Sequence, residues 1–600
     1  MVNLSLKKDS FWGYFNFYYG LTGNKLLVYL GLSILVSLLD GLGLAMFIPL
    51  LEFVGNPDKN VNSKDSLGQL HHLIDFVSSL GFELTVTTVL VMLMGLFSLK
   101  GLLRFIQINY YSKMRQFFFV KVRNELLKRL ERLSYSGFLE LDAGKIQNTF
   151  TTEVGRLYNG MTGFFNTTQY FFMLLTYIVL AFLANYQFAV LVLVGSFFSN
   201  LIYKKIYKRT KRASLDLTKR GVSASNYLLQ AVHNFKYLKS TNSFSEYGNR
   251  LQNIIMKFER LNRSMGKMKA IATSIREPII IAIVSFVIMV QINLMGTGLN
   301  TIILSLFLFY RALTFLGQIQ NDWQIFIENI GGMYAISANA QLMADSEEKM
   351  GSAEFPGVKR HIQLRNVELS YDRVKALDRI NIKIPVNQTI ALIGESGSGK
   401  TTIANVIAGL FTPDTGEVVI DDVSLSNYDL NSYRSKIGYI SQESVIFNDN
   451  IFNNITFWAE STPENMARFH EVLERASLAE FVNSLPDKEL TSLGDNGLLI
   501  SGGQKQRISI ARELYKKCEI LILDEATSAL DSETEKIIQE NIEKLHGSYT
   551  MIVIAHRLST IKGADIIYLM ENGKVSASGN FHEMINSSSR FKKMVSFQSV

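Results

Sequence analysis

One octapeptide in the C-terminal half constrains this chain more than any other feature. The residues Gly394-Glu395-Ser396-Gly397-Ser398-Gly399-Lys400-Thr401 fit the phosphate-loop pattern G-x-x-x-x-G-K-[ST]. In this pattern the glycines let backbone N–H groups curl around phosphates, the lysine adds a positive charge at the β/γ end, and the final hydroxyl reaches Mg²⁺. We therefore predict that the segment 394–402, which ends at Thr402, binds the phosphates of a nucleotide, with Thr401 as a ligand of Mg²⁺.

The composition points to a membrane protein. Of the 600 residues, 48% are hydrophobic and only 19% are charged, which is too apolar for an ordinary soluble enzyme of this length. Crossing a bilayer takes about 20 apolar residues. Six stretches of suitable length are predicted to span the membrane, near 26–51, 84–112, 160–184, 187–207, 271–295 and 299–317.

The charges between these spans predict an orientation. The loop 52–83 is acidic and is expected outside, whereas the segments 113–159 and 204–270 are rich in Lys and Arg and are expected inside. Both termini are then cytoplasmic. The formal net charge of +8 fits this pattern, and no soluble basic patch with interleaved aromatic residues favours a nucleic-acid partner.

The chain is predicted to have two folded parts. An α-helical six-span membrane domain is expected over 23–344, preceded by a segment, 1–22, that lies either in the membrane interface or against the protein. A polar linker, 345–358, leads to an α/β nucleotide domain over 359–600. The single cysteine, Cys518, excludes an intramolecular disulfide and is expected to be buried and inert.

Six further segments accompany the phosphate loop, and together the seven resemble the nucleotide-binding domain of ABC transporters. They follow the family order across the whole C-terminal part, and this combination is far more specific than any one of them. The six are Tyr371, Gln442 in Tyr439-Ile440-Ser441-Gln442, the signature Ile500-Ser501-Gly502-Gly503-Gln504, the strand Ile520-Leu521-Ile522-Leu523-Asp524-Glu525, Ser528-Ala529-Leu530-Asp531, and His556 in Ile554-Ala555-His556-Arg557.

The resemblance implies a role for each of these residues in ATP hydrolysis. Tyr371 stacks on adenine, Asp524 and Gln442 join Thr401 around Mg²⁺, and Glu525 polarises the attacking water with His556 beside the γ-phosphate. The ATP site of a second subunit is completed by five further residues: Ser501, Gly502, Gly503, Gln504 and Asp531. The one departure is Ile500, where the family usually has Leu; this apolar exchange should not impair activity, so we expect a hydrolytically competent site.

The order of membrane domain and nucleotide domain resembles an exporter-type ABC half-transporter. The segments 136–146 and 234–239 resemble the intracellular loops that dock on the nucleotide domains in that family. One phosphate loop and one signature per chain imply a dimer. Because no motif is degenerate, a homodimer is expected, in a bacterial inner membrane.

Charged residues inside the predicted spans point to a substrate. Lys100, Arg104, Arg276 and Arg311 are expected at mid-membrane or in its inner half, where charges usually face a cavity or a partner. They would suit an anionic headgroup. The alternative is structural pairing of an arginine with Asp40 or Glu277, or snorkelling to the inner interface.

Segments in spans one, two and six are most similar to flippases for lipid-linked oligosaccharides. ATP-driven export or flipping of an anionic lipid-linked substrate is therefore the favoured hypothesis. A peptide or drug exporter of the same architecture and an ATP-gated channel or regulator are the alternatives.

Overall fold

The structure is a computed structural model with two compact units. The first comprises Met1–Leu133 and Gly137–Glu347, and the second comprises Ser134–Ser136 and Glu348–Val600. The residues that it describes are 4–6, 8–47, 85–184, 186–295, 299–371, 374–524, 532–555 and 557–598.

The chain up to Asp345 is built from helices, several of them much longer than a bilayer is thick, and all of it belongs to the first unit except Ser134–Ser136. Their bounds are α1 (Phe11–Thr22), α2 (Asn24–Ala45), α3 (Val86–Glu131), α4 (Tyr135–Leu141), α5 (Ala143–Asn148), α6 (Val154–Ala184), α7 (Tyr186–His233), α8 (Phe235–Ser240), α9 (Phe244–Met295) and α10 (Leu299–Asp345). A π-helical turn, Thr149–Glu153, joins α5 to α6.

Four stretches of the described chain are long and apolar enough to cross a membrane: Asn24–Ala45, Val86–Glu131, Ala143–Leu183 and Phe244–Val290. The predicted spans near 187–207 and 299–317 fall on helices α7 and α10. In both of those stretches the side chains of several residues are not described, so the count of six stays a prediction. The acidic loop 52–83 also lies outside the described residues.

Helix α6 packs closely along α10 at a glycine. A Cβ atom on Gly163 would lie 2.6 Å from the carbonyl oxygen of Asp322 and 2.7 Å from the backbone nitrogen of Phe326. Such distances leave no room for a side chain, so the missing Cβ sets how near the two helices approach. One turn earlier, a Cβ on Gly160 would be 3.6 Å from its nearest neighbour, an ordinary contact.

A buried arginine ties α6 to two other helices. The Arg156 guanidinium donates to Oε2 of Glu153 at 3.1 Å, to Oγ of Ser214 at 2.7 Å and to the carbonyl oxygen of Glu328 at 3.2 Å. Its charge is thus both paired and hydrogen-bonded, which a buried ion requires. These bonds hold α6, α7 and α10 together.

The N-terminal helix α1 lies against the bundle. Ser10 caps it by accepting a hydrogen bond from the backbone of Gly13 at 3.2 Å. The fully buried Tyr18 contacts Phe118, Phe164 and Phe165, whereas Trp12 on the other face is 70% exposed. The helix therefore packs on the protein through one face and leaves an aromatic face uncovered.

The second unit is an α/β domain with two sheets. Its strands are β1 (His361–Tyr371), β2 (Val374–Pro385), β3 (Thr389–Gly394), β4 (Thr415–Ile420), β5 (Val423–Ser424), β6 (Ile437–Ile440), β7 (Ile520–Asp524), β8 (Thr550–Ile554), β9 (Ile566–Glu571) and β10 (Lys574–Gly579). The α-helices are α11 (Lys400–Ile407), α12 (Leu430–Ser435), α13 (Ile451–Thr456), α14 (Pro463–Arg475), α15 (Ala479–Ser484), α16 (Gly502–Tyr515), α17 (Ser532–Glu543), α18 (Leu558–Lys562), α19 (Phe581–Ser587) and α20 (Ser589–Gln598).

The larger sheet has the order β10-β9-β3-β8-β7-β6, and the smaller, antiparallel sheet has the order β2-β1-β4-β5. In the larger sheet the strands from β9 to β6 run parallel. The central strands are apolar and buried, as expected for a sheet covered on both faces. Their carboxyl ends therefore meet along one edge, where ligands bind in open α/β sheets.

Candidate functional site

The phosphate loop leaves β3 at Gly394 and enters α11 at Lys400. Gly394 has φ 146°, and a Cβ atom there would lie 2.3 Å from the carbonyl oxygen of Met570. Only glycine fits this position without moving backbone. The loop between them holds Glu395, Ser396, Gly397, Ser398 and Gly399, and Thr401 and Thr402 follow in the first turn of α11.

The side chain of Lys400 is buried inside this loop. Its Nζ atom donates to the carbonyl oxygen of Gly394 at 3.0 Å and to that of Glu395 at 2.9 Å. The hydroxyl of Ser398 is buried and has no hydrogen-bond partner within the described part of the chain. A flexible buried cation and an unused hydroxyl beside a helix N-terminus suit the phosphates of a nucleotide.

Asp524 ends the strand two places from β3 in the sheet. It aligns with Ile554 on β8, which in turn aligns with Leu392 on β3. The hydroxyl of Tyr439 on β6 lies 3.5 Å from Oδ2 of Asp524. Burial, and then the charge of Asp524, raise the pKa of Tyr439, so its hydroxyl stays protonated and can donate to that carboxylate.

The oxygen donors around this edge fit Mg²⁺. They are the Thr401 hydroxyl, the Asp524 carboxylate and the side-chain amide of Gln442, which follows β6 by two residues. Mg²⁺ prefers oxygen ligands and usually takes one or two carboxylates together with substrate phosphates.

Three predicted residues of the ATP site lie outside the described residues: Glu525, Asp531 and His556. Two of these residues nevertheless follow closely in sequence after strands of the larger sheet, β7 and β8. Glu525 directly follows Asp524, and His556 comes two residues after the end of β8. Their proposed roles rest on the sequence.

The signature segment forms the start of α16. Ser501 accepts a hydrogen bond from the backbone of Gln504 at 3.3 Å, and the Gln504 side chain accepts one from the backbone of Ser501 at 2.9 Å. This capping box fixes the helix start. Ser501 and Gly502 are exposed, whereas Gly503 is buried. The helix N-terminus is thus open to solvent, where it can receive an anion.

Tyr371 ends β1 and is 39% exposed. Its ring packs edge-to-face on the buried Phe411, with ring centroids 5.4 Å apart. This contact supports one edge of the tyrosine, and its exposed surface remains accessible to a ring of the nucleotide.

One contact to the phosphate loop was not anticipated. Arg590 on α20 donates to the Glu395 carboxylate at 2.5 Å, and it also pairs with Glu571 at 2.9 Å. The C-terminal helix thereby partly balances a negative charge within the loop. No sequence motif marks Arg590, because one arginine on a surface helix carries no such signal.

In the helical unit, Lys100 is paired. Its ammonium contacts Oδ1 of Asp40, and the Tyr177 hydroxyl donates to Oδ2 of the same carboxylate at 2.9 Å. Asp40 is almost fully buried. Sequence analysis leaves pairing of an arginine with Asp40 open; in the structure the partner of Asp40 is Lys100.

Arg311 lies beside this pair. Its guanidinium carbon lies 5.1 Å from the ring centroid of Phe315, and Phe315 stacks on Tyr177 at 5.3 Å. The guanidinium is also close enough to the Tyr177 hydroxyl to interact with it. We call Asp40, Lys100, Tyr177 and Arg311 the charged cluster.

The other two predicted cations lie in different surroundings. Arg104 donates to Gln107 on its own helix at 3.4 Å, and Gln107 donates to Ser33 on α2 at 2.7 Å. Arg276 lines a separate small cavity between α7, α9 and α10, under Gly317. Substrate contact by these residues stays a prediction.

Residues 377–528 match the model of the ABC transporter domain, and residues 29–318 match the model of the ABC transporter transmembrane region. A heterocyst differentiation ATP-binding protein from Nostoc sp. is 31% identical, with 78% of this chain and 76% of that protein covered.

An ATP-dependent lipid A-core flippase from Francisella tularensis is 29% identical, with 84% of this chain and 83% of that protein covered. A solved structure of a bacterial Atm1-family ABC exporter with ATP bound has the same fold. Its TM-score is 0.79 at 20% identity, and the match covers 96% of this chain and 99% of that chain.

The geometry and the comparisons agree. The chain belongs to the ABC transporter family, as an exporter-type half-transporter in which a helical transmembrane region is followed by one ATP-hydrolysing domain.

Proposed function

We propose that this protein is an ATP-driven exporter or flippase of an anionic lipid-linked substrate, such as a lipid-linked oligosaccharide or related glycolipid. The observation that carries the substrate class is the charged cluster, in which Lys100 pairs with the buried Asp40 and a second cation, Arg311, lies nearby against Phe315. Relatives with 83% of their length covered are named as flippases of a lipid, which supports a lipid substrate.

We propose that the working unit is a homodimer with two composite ATP sites. In each site the phosphate loop of one chain and the Ser501 segment of the other would enclose one ATP. The exposed N-terminus of α16 supports this, because the described hydrogen bonds of the Ser501 side chain stay within its own helix start. Both termini are assigned to the cytoplasmic side of a bacterial inner membrane.

The residues at the carboxyl edge of the larger sheet have distinct roles in ATP hydrolysis. Lys400 would hold the β- and γ-phosphates, and Thr401, Gln442 and Asp524 would hold Mg²⁺, which would supply positive charge beside the phosphates. Glu525 accepts a hydrogen bond from the attacking water. His556 holds the γ-phosphate in position for attack by that water. Closure and reopening of the two sites would drive alternating access of the membrane cavity.

The response of ATP hydrolysis to lipids tests this proposal. The purified protein is placed in phosphatidylcholine nanodiscs, and phosphatidic acid is added as a simple lipid phosphate. We expect ATP hydrolysis to rise with the anionic lipid, and not with a cationic lipid of the same chain length. Lys400→Ala provides the control for contaminating ATPases. Equal hydrolysis with all lipids would remove the argument for this substrate class and favour a peptide or drug exporter.

A further inference from the structure

We propose that Asp40 is an exchangeable counter-ion for the substrate. In the absence of substrate it holds Lys100, and an anionic headgroup takes its place on Lys100 beside Arg311. This inference rests on the proposed function, because it requires a substrate with a phosphate or similar anion. The substrate-binding site then includes Asp40, a residue with the same sign of charge as the substrate.

The charge balance of the cluster supports the exchange. Asp40 pairs with Lys100, and Arg311 lies near Tyr177, the other partner of Asp40, so the four described residues of the cluster carry two positive charges and one negative charge. The Nε atom of Arg311 is buried and has no hydrogen-bond partner in the described part of the chain. An incoming anion would therefore gain a guanidinium with unused donor capacity.

The two bonds of Asp40 keep the free-energy cost of the exchange low. A buried carboxylate that lost its only partner would be strongly destabilised. Asp40 has two partners, because the Tyr177 hydroxyl donates to the oxygen that Lys100 does not contact. When Lys100 turns to a substrate, Asp40 keeps the tyrosine bond.

The two partners also differ in mobility and exposure. The Lys100 side chain is 24% exposed, whereas that of Asp40 is 3% exposed. A lysine carries its charge on a long, flexible stem, so the ammonium can swing while the carboxylate stays in place. The ring of Phe97, with its centroid 5.0 Å from the Lys100 Nζ atom, offers a second surface that tolerates a cation.

Asp40 therefore lowers the affinity of the site in a defined way. A substrate has to bind the fraction of molecules in which Lys100 is released, and its apparent Kd rises accordingly. Such competition would favour anions strong enough to displace a carboxylate, as a phosphate or pyrophosphate is. It would also restore the Lys100–Asp40 pair as the substrate leaves.

The test is a binding measurement on the full-length protein in phosphatidylcholine nanodiscs. The probe is dioctanoyl phosphatidic acid, and the variants are Asp40→Asn, Lys100→Gln and the double variant. We expect Asp40→Asn to tighten the Kd by about tenfold, the effect of removing one competing charge-assisted bond. Lys100→Gln should weaken binding, and the double variant should bind about as Lys100→Gln does, because Asp40 then has no lysine for which to compete.

A second buried ion pair provides the control. Glu125→Gln breaks the pair between Glu125 and Arg129 on α3, whose atoms are 3.0 Å apart. It should lower the Tm and leave the probe Kd unchanged. If Asp40→Asn does not fold, Tyr177→Phe decides the question, because Asp40 without the tyrosine bond should hold Lys100 more tightly and raise the probe Kd. An unchanged Kd in that variant would overturn the exchange.

The outcomes separate the two proposals. Equal or weaker probe binding by Asp40→Asn, in a protein whose wild type binds the probe, would overturn the exchange and leave the proposed function standing. No binding of the probe to the wild type would overturn the substrate class and the exchange together.

Discussion

The Nζ atom of Lys400 lies 3.0 Å from the carbonyl oxygen of Gly394, so the cation is held by the loop whose phosphates it is expected to bind. Lys400→Ala removes this charge. We expect ATP affinity to fall at least about tenfold, since each charge-assisted hydrogen bond contributes about 1.5–3 kcal/mol. Equilibrium binding of a fluorescent ATP analogue measures this, and unchanged affinity would contradict the phosphate-loop assignment.

Glu525→Gln should act at a later step. The variant keeps the phosphate loop and Asp524, so it should bind ATP with near-normal affinity and hydrolyse it very slowly. The reason is that an amide cannot accept the proton of the attacking water as a carboxylate does. Single-turnover hydrolysis, with ATP binding measured in parallel, tests whether the variant keeps ATP binding and loses hydrolysis. Near-normal turnover would show that another group has this role.

A mixed dimer tests whether the ATP sites are shared. One chain carries Lys400→Ala and the other carries Ser501→Arg, which blocks the exposed N-terminus of α16. If each site combines one phosphate loop with the partner's signature, both lesions fall in the same site and the second site stays intact. Hydrolysis by the mixed dimer should then exceed that of either homodimeric variant. Equal inactivity of all three would count against independent composite sites.

The close approach of α6 to α10 predicts a difference between two neighbouring glycines. In Gly163→Ala the new Cβ would meet backbone atoms at 2.6–2.7 Å, which cannot move as a side chain can. We expect a loss of about 1–3 kcal/mol, the usual cost of overpacking. Gly160→Ala, with 3.6 Å to its nearest atom, is the matched control and should not destabilise. Thermal unfolding in detergent compares them, and equal Tm values would contradict the packing argument.

Much of the ATP-binding domain could be predicted from sequence because its chemistry needs particular residues in a fixed order. The phosphate loop, Asp524 and the signature helix each occur where a strand ends or a helix begins, as the structure has them. The backbone of Gly394 has a positive φ that favours glycine, so the motif itself carries this part of the geometry.

The membrane half was less predictable. A charge such as Lys100 is visible in the sequence, but its partner depends on how α2 and α3 pack, and no spacing rule gives that. The same holds for Tyr177, whose hydroxyl contacts Asp40 across 137 positions of the chain. The pair between Arg590 and Glu395 was missed for the same reason.

The central claim is that ATP hydrolysis moves an anionic lipid through a site that includes Arg311. Transbilayer movement of a fluorescent phosphatidic acid in proteoliposomes tests it most directly, for the wild type, Arg311→Gln and Arg311→Lys, with the Tm of each. Lysine cannot present the guanidinium fork, so it should restore transport only in part.

The account predicts ATP-dependent movement by the wild type, loss in Arg311→Gln without a fall in Tm, and partial recovery in Arg311→Lys. A folded Arg311→Gln protein that moves the anionic lipid as fast as the wild type would contradict it.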